Sequence, residues 1–102
     1  MIDIVVLSQP DCHFCDEAQA ILARLTPSYP ISVRQIALDS GQGPDLAARH
    51  GVMFAPGIVM NGRLVSYGRL SERRLRRHLD RHLADPNILD RELDGSPTDK
   101  AV

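Results

Sequence analysis

The two cysteines of the chain lie three residues apart, in the tetrapeptide Cys12-His13-Phe14-Cys15, where two different hydrophobic patterns meet. The residues before the tetrapeptide, 2–7, are almost continuously apolar, which is typical of a strand buried on both faces. After it, apolar residues recur at helical spacing, at Ala18, Ile21, Leu22 and Leu25. The pattern therefore predicts a strand, a short loop and a helix, with the cysteine pair at the start of the helix.

The start of a helix favours a reactive cysteine for two physical reasons. Backbone N–H groups of the first turn have no partner within the helix, and the aligned peptide dipoles place partial positive charge at this end. Both effects stabilise a thiolate, which is the nucleophilic form of cysteine. A C-x-x-C motif between a strand and a helix is typical of thiol–disulfide exchange. We therefore predict Cys12 and Cys15 as the catalytic pair.

The size and charge of the chain fit one small globular domain. With 102 residues, 43% of them apolar, the chain has enough core-forming residues to fold alone. Its net charge of −1 gives no indication of nucleic acid or of a membrane surface as a partner. No apolar run approaches the roughly 20 residues that cross a bilayer. We expect a monomer with neither nucleic acid nor membrane among its partners.

The N-terminus enters the first predicted strand directly, without the basic and apolar segments of a secretory leader. This leads us to expect a cytoplasmic location. In a reducing compartment, a closely spaced cysteine pair is catalytic or metal-binding more often than it is structural.

The rest of the pattern predicts three further strands and two further helices. Thr26-Pro27 ends the first helix, and residues 31–38 form a strand whose polar positions suit a sheet edge. Pro44 and Gly51 bracket a short helix. Two short strands, 57–60 and 64–67, flank Asn61-Gly62, a strong hairpin signal.

The last predicted helix begins after Ser71 as N-cap, with Leu75, Leu79 and Leu83 on one face. The element order is then β-α-β-α-β-β-α. A right-handed crossover makes the first two strands parallel. The predicted fold class is therefore α/β, a four-stranded mixed sheet flanked by helices.

The charge pattern separates the C-terminal residues from the rest. From residue 85 onward, five carboxylates accompany only two cations, Arg91 and Lys100, and few apolar residues are available for burial. We predict a folded domain over residues 1–85 and a flexible acidic tail over residues 86–102.

The chain resembles the thioredoxin superfamily, nearest to its glutaredoxin-like branch, over roughly residues 2–84. The resemblance rests on Ser8-Gln9-Pro10-Asp11-Cys12-His13-Phe14-Cys15-Asp16-Glu17-Ala18, on Phe54-Ala55-Pro56, on Val59-Met60-Asn61-Gly62-Arg63 and on Gly68. It implies a thioredoxin-like fold in which Cys12 is the exposed nucleophile and Cys15 the more buried resolving thiol. It also implies that Pro56 is a cis-proline facing the cysteines, and that the backbone beside it pairs with a bound substrate chain.

The chain departs from usual members of this superfamily in the residues around the motif. It has no tryptophan, and His13-Phe14 occupies the position of Gly-Pro in thioredoxins and Pro-Tyr in glutaredoxins. Where glutaredoxins hold glutathione with Gly-Gly and acidic residues, this chain has Gly68, Ser71 and Glu72. We therefore predict weak or absent turnover with glutathione.

The resemblance and the motif together predict a thiol–disulfide oxidoreductase that reduces protein or small-molecule disulfides and needs no cofactor. Its expected partners are a disulfide-containing protein substrate and a reducing partner, either a thioredoxin-reductase-like protein or glutathione. The predicted substrate-binding residues surround the cysteines in the predicted fold; they are His13, Phe14, Ala55, Pro56, Tyr67 and Gly68.

Individual roles near the motif stay open at this point. His13 either stabilises the Cys12 thiolate, because an imidazolium favours ionisation of a neighbouring thiol, or is an exposed side chain that contacts partners. Asp11 is a candidate cap for the helix that follows. As a negative charge beside Cys12, it would oppose thiolate formation.

Two metal-binding alternatives use the same cysteines. His78 and His82 lie four residues apart and could complete a zinc site with the cysteine pair. They would lie roughly 10 and 16 Å along a helix starting at Ser71, at about 1.5 Å per residue, which argues against shared coordination. The other alternative is a non-catalytic carrier or sensor, in which two subunits share a metal ion or iron–sulfur cluster. We predict no resident metal.

Overall fold

In the computed structural model, which describes residues 1–84, four strands and three helices follow one another in the predicted order. Their bounds are β1 (Ile2–Ser8), α1 (His13–Leu25), β2 (Ile31–Ala37), α2 (Gly43–His50), β3 (Gly57–Met60), β4 (Arg63–Tyr67) and α3 (Glu72–Ala84).

The strands form one mixed sheet in the order β2-β1-β3-β4. β1 is parallel to β2 and antiparallel to β3, and β3 is antiparallel to β4. The predicted parallel pairing of the first two strands is thus confirmed. The continuous apolar run of β1 lies between two neighbours, whereas β2, with its alternating exposed residues, lies at the edge.

The predicted hairpin closes the end of the sheet at which β1 begins. Asn61 and Gly62 adopt positive φ angles of 50° and 83°, which a tight turn between antiparallel strands requires. The Asp3 N–H donates to Asn61 Oδ1 at 2.8 Å, and the Asn61 N–H donates to the Asp3 carbonyl at 2.8 Å. These reciprocal bonds fix the hairpin to the start of β1.

The first two helices end as their sequences predict. Leu25 is the last residue of α1, and the Thr26 hydroxyl donates to the Leu22 carbonyl at 2.8 Å. Gly51 ends α2 in the left-handed region, at φ 70°. An apolar cluster joins α2 and the segment after it to the sheet; its buried members are Val5, Leu7, Ala47, Val52 and Val59.

One compact unit comprises Met1–Glu72, and the remainder of α3 belongs to a second. Within α3, Leu75 and Leu79 are buried, but Leu83 is 48% exposed. Leu83, which the sequence predicts on the same helix face, is thus much more exposed than the two leucines before it. The predicted tail, residues 86–102, lies outside the described residues. None of the three described helices has the length and apolar character that crossing a bilayer would require.

Candidate active site

Three loops meet at the end of the sheet opposite the hairpin, where β1 ends. Leu7 near the end of β1 lies across from Gly57 at the start of β3, and Gly57 lies across from Tyr67 at the end of β4. The same end of the sheet therefore carries three segments, residues 9–12, 53–56 and 68–71. This topology places the cysteine motif, the proline segment and the residues after β4 around one site.

The two cysteines occupy different environments at the start of α1. Cys12 is the N-cap, with extended backbone, and its Sγ accepts the Cys15 N–H at 3.1 Å. Cys12 is half-buried, whereas Cys15 is 3% exposed. The two form a disulfide whose Cα atoms are 5.2 Å apart. An otherwise unpaired N–H of the first turn thus points at the Cys12 sulfur.

Asp11 does not cap α1, in contrast to one interpretation of the sequence. Cys12 takes that position, and Asp11 precedes it with a positive φ of 55°. A side-chain cap must have an extended backbone at the N-cap position itself. The left-handed turn at Asp11 instead directs the chain so that the next residue, Cys12, begins the helix.

The proline segment is joined to the loop that follows β4. The Ala55–Pro56 peptide bond is cis, as the resemblance implies, and both residues are buried. The Gly68 N–H donates to the Pro56 carbonyl at 2.8 Å. Proline has no N–H to donate. The Pro56 carbonyl is therefore bonded within the protein, which joins the proline segment to the loop after β4.

His13 is exposed and pairs with a carboxylate on the same helix. Its Nε2 lies 3.0 Å from Glu17 Oε2, one turn further along α1. The other oxygen of Glu17 lies 3.7 Å from Nε of Arg69, in the loop after β4. The Arg69 guanidinium lies 5.9 Å from the ring centroid of Phe14. The His13 imidazole therefore lies at the surface beside Glu17.

Tyr67 organises the residues before the cis-proline. Its hydroxyl accepts the Met53 N–H at 2.6 Å, and its ring stacks on Phe54 with centroids 4.6 Å apart. Sequence reasoning does not single out Met53, Phe54 or Arg69 as site residues. The available signal is that two large apolar residues lie two and three positions before a proline in a loop, where burial is not expected.

Within residues 1–84, no group of three or more His, Cys, Asp and Glu side chains is arranged to hold a metal ion. The acidic residues near the motif, Asp11, Asp16 and Glu17, are spread along the loop and the first turn of α1.

Comparison with known proteins identifies the family. Residues 3–80 match the family model described as glutaredoxin-like domain (DUF836). The chain belongs to this glutaredoxin-like family. The matched range includes both cysteines, the cis-proline, Tyr67 and Gly68.

Solved structures confirm the thioredoxin-like fold of this glutaredoxin-like protein. A mutant thioredoxin from Halobacterium salinarum NRC-1 is 22% identical, with a TM-score of 0.62 over 78% of this chain and 72% of that chain. Oxidised mitochondrial thioredoxin 3 from Saccharomyces cerevisiae is 21% identical, with a TM-score of 0.58 over 78% and 76%. A malarial protein is 19% identical, with a TM-score of 0.63 over 81% and 98%.

A search of curated proteins found no significant match. At these identities, the structural neighbours establish the fold alone. The family and the cysteine pair at disulfide distance support a thioredoxin-like redox role for the glutaredoxin-like protein.

Proposed function

We propose that this glutaredoxin-like protein is a thiol–disulfide oxidoreductase with Cys12 as the nucleophile and Cys15 as the resolving thiol. The observation that carries the proposal is the difference between the two sulfurs. Cys12 is half-exposed at the N-cap and accepts an N–H from the first turn, whereas Cys15 is buried. A substrate disulfide can therefore reach Cys12 first, and the helix start stabilises its thiolate.

The reaction consists of two exchanges. The Cys12 thiolate attacks one sulfur of the substrate disulfide, whose S–S bond breaks, and the departing thiolate takes a proton from solvent. Cys15 loses its proton to solvent, and its thiolate attacks Cys12 Sγ in the mixed disulfide. This step releases the second substrate thiolate, which is protonated in turn. The substrate has gained two electrons, and Cys12 and Cys15 form the disulfide.

The remaining parts of the proposal concern substrates and partners. The backbone of Ala55 beside Pro56 pairs with the substrate chain, and His13, Phe14, Tyr67 and Gly68 contact it. A reducing partner, either a thioredoxin-reductase-like protein or glutathione, returns two electrons to the disulfide. We place this electron transfer in the cytoplasm and in a monomer, with residues 1–85 sufficient for activity.

Redox titration of the cysteine pair against glutathione buffers tests the direction of electron flow. A potential near that of thioredoxin, about −270 mV, indicates a reductase, whereas a value near −120 mV indicates an oxidant. Two alkylatable thiols persisting after diamide treatment would contradict a redox role of either kind.

Trapping separates the roles of the two cysteines. Cys15→Ser should keep a fast-reacting thiol and accumulate mixed disulfides with substrate, because the resolving group is gone. Cys12→Ser should react slowly with iodoacetamide at pH 7. If Cys15 proves to be the faster thiol in these variants, the proposed order of attack is wrong.

A further inference from the structure

Four large apolar side chains are exposed to solvent at the end of the sheet that carries the cysteine motif, which we call the cysteine end. Their exposed fractions are 43% for Phe14, 86% for Met53, 55% for Phe54 and 39% for Tyr67. Elsewhere in residues 1–84, the large apolar side chains with comparable exposure are Met1 and Leu83. Three of the four aromatic residues of the chain belong to this group. We call Phe14, Met53, Phe54 and Tyr67 the apolar rim.

The part of the rim before the cis-proline is held in place by Tyr67. The tyrosine hydroxyl accepts the Met53 N–H at 2.6 Å, and the Phe54 ring stacks on the tyrosine ring at 26°. Gly68 borders the same ring, since a Cβ built on it would lie 3.8 Å from Phe54 Cε1. Because the Met53 backbone and the Phe54 ring are already held, binding on this part of the rim loses less conformational freedom.

The charges beside Cys12 disfavour a small anionic substrate. Asp11, Asp16 and Glu17 contribute three carboxylates within residues 11–17, a segment that contains neither lysine nor arginine. Arg69 approaches the segment from another loop, but it lies 3.7 Å from Glu17 and is partly neutralised by it. Glutathione is an anionic tripeptide with little apolar surface, so neither the carboxylates nor the rim complements it.

We propose that the apolar rim is a docking surface for polypeptide disulfides and selects those with an apolar side chain beside the reacting cysteine. This inference rests on the proposed function. The rim residues lie in the first turn of α1, in the loop before β3 and at the end of β4, which meet at the end of the sheet that carries Cys12. A protein segment whose disulfide reaches this sulfur can therefore contact the rim. Aromatic and methionine side chains that stay exposed beside one another are typical of a binding surface.

Turnover of matched substrates provides the first test. Two disulfide-linked peptides, identical except for leucine or serine beside the cysteine, are compared with hydroxyethyl disulfide, which is too small to cover the rim. With dithiothreitol as the reductant and its direct reaction subtracted, the protein should reduce the leucine peptide about tenfold more efficiently, in kcat/KM, than the serine peptide. Equal efficiency with the two peptides would overturn the inference.

Substitutions in the rim test whether it produces the preference for the leucine peptide. Phe54→Ala and Met53→Ala should each lower kcat/KM for the leucine peptide roughly five- to tenfold and leave hydroxyethyl disulfide within about twofold. Tyr67→Phe, which removes only the hydroxyl bonded to Met53, should have a smaller effect in the same direction. Leu83→Ala, at an exposed leucine outside the rim, is the matched control. Equal losses on both substrates would mean that the rim supports the fold or the chemistry instead.

Peptide binding to a variant that lacks both cysteines tests the docking surface separately from the proposed function. In a Cys12→Ser, Cys15→Ser double variant, the leucine peptide should shift the NMR signals of Met53 and Phe54 and bind more tightly than the serine peptide. If the peptide binds but the native protein reduces no disulfide, the proposed function fails and the docking surface stands. If the native protein reduces hydroxyethyl disulfide and the two peptides bind equally, the docking surface is wrong.

Discussion

The two ends of the central strand β1 use the same backbone conformation with different results. At the hairpin end, Asn61 and Gly62 have φ angles of 50° and 83°; at the cysteine end, Asp11 and Gly68 have 55° and 85°. The hairpin turn bonds its asparagine side chain to Asp3, which satisfies polar groups and closes the sheet. The cysteine end instead leaves a sulfur and four large apolar side chains accessible.

The hairpin end of the sheet therefore contributes to stability, whereas the cysteine end leaves apolar side chains unburied and accessible. Exposed aromatic and methionine side chains forgo the stabilisation that burial would give, about 25 cal/mol per Å² of apolar surface. The hairpin end carries no such loss in its turn, because Asn61 and Gly62 suit the conformation that they adopt. Substitutions at the two ends should therefore separate activity from stability.

The largest expected effect is the loss of activity in Cys12→Ser. Without its nucleophile the protein should lose on the order of 10³-fold or more in disulfide reduction. Stability should change little, since serine is a favourable N-cap residue and can accept the same N–H. Insulin reduction and thermal unfolding of the reduced proteins measure the two quantities. A large fall in Tm with partial activity would contradict the separation of the two ends.

The hairpin end should respond in the opposite way. Asn61→Ala removes the bond to the Asp3 N–H and places a less suitable residue at positive φ, which should lower the free energy of unfolding by about 1–2 kcal/mol. For a domain of this size, Tm then falls by roughly 4–16 °C. Asn61→Gly, which tolerates the conformation but lacks the bond, should lie between. Activity per folded molecule should not change, and an activity loss in either variant would argue for coupling between the ends.

Local sequence signals predict the hairpin end and the placement of the cysteines well. The continuous apolar run of β1 and the Asn61-Gly62 pair are short-range patterns with a strong conformational preference. The cysteine end depends more on long-range geometry. The contact between Tyr67 and Met53 requires the pairing of β3 with β4, whose register shifts between Ile58 and Val59, and no local pattern reveals it.

The capping residue of α1 illustrates the same limit. Aspartate and cysteine stand next to each other, and aspartate is the commoner N-cap, so the sequence favours Asp11. Because Asp11 has a positive φ, Cys12 and not Asp11 is the N-cap. The path of the loop between β1 and α1 sets this angle. Because Cys12, and not a conventional cap residue, is the N-cap of α1, a first-turn N–H points at the Cys12 sulfur.

Asp11 allows backbone conformation and charge to be tested separately, with a smaller effect. Asp11→Gly suits the positive φ, whereas Asp11→Ala does not, so the two should differ by about 1 kcal/mol in the free energy of unfolding. Both remove the carboxylate beside Cys12 and should raise its alkylation rate at pH 7 about two- to fivefold. Urea unfolding and iodoacetamide kinetics measure the two effects. Alkylation rates that follow stability, instead of charge, would show that the backbone at Asp11 governs reactivity.

The smallest effect is expected at Glu17, which lies between His13 and Arg69 at the cysteine end. Both pairs are exposed, and an exposed ion pair contributes at most about 1 kcal/mol to the free energy of unfolding. Glu17→Gln should therefore cost less than about 0.5 kcal/mol. Asp16→Asn removes the same charge from the same helix turn and is the matched control. In 1 M salt, where the Debye length is about 3 Å, the difference between the two variants should disappear. A difference that persists in salt would mean that Glu17 also positions Arg69 over Phe14 through packing, and the cysteine end would then depend on side-chain order as well as on exposure.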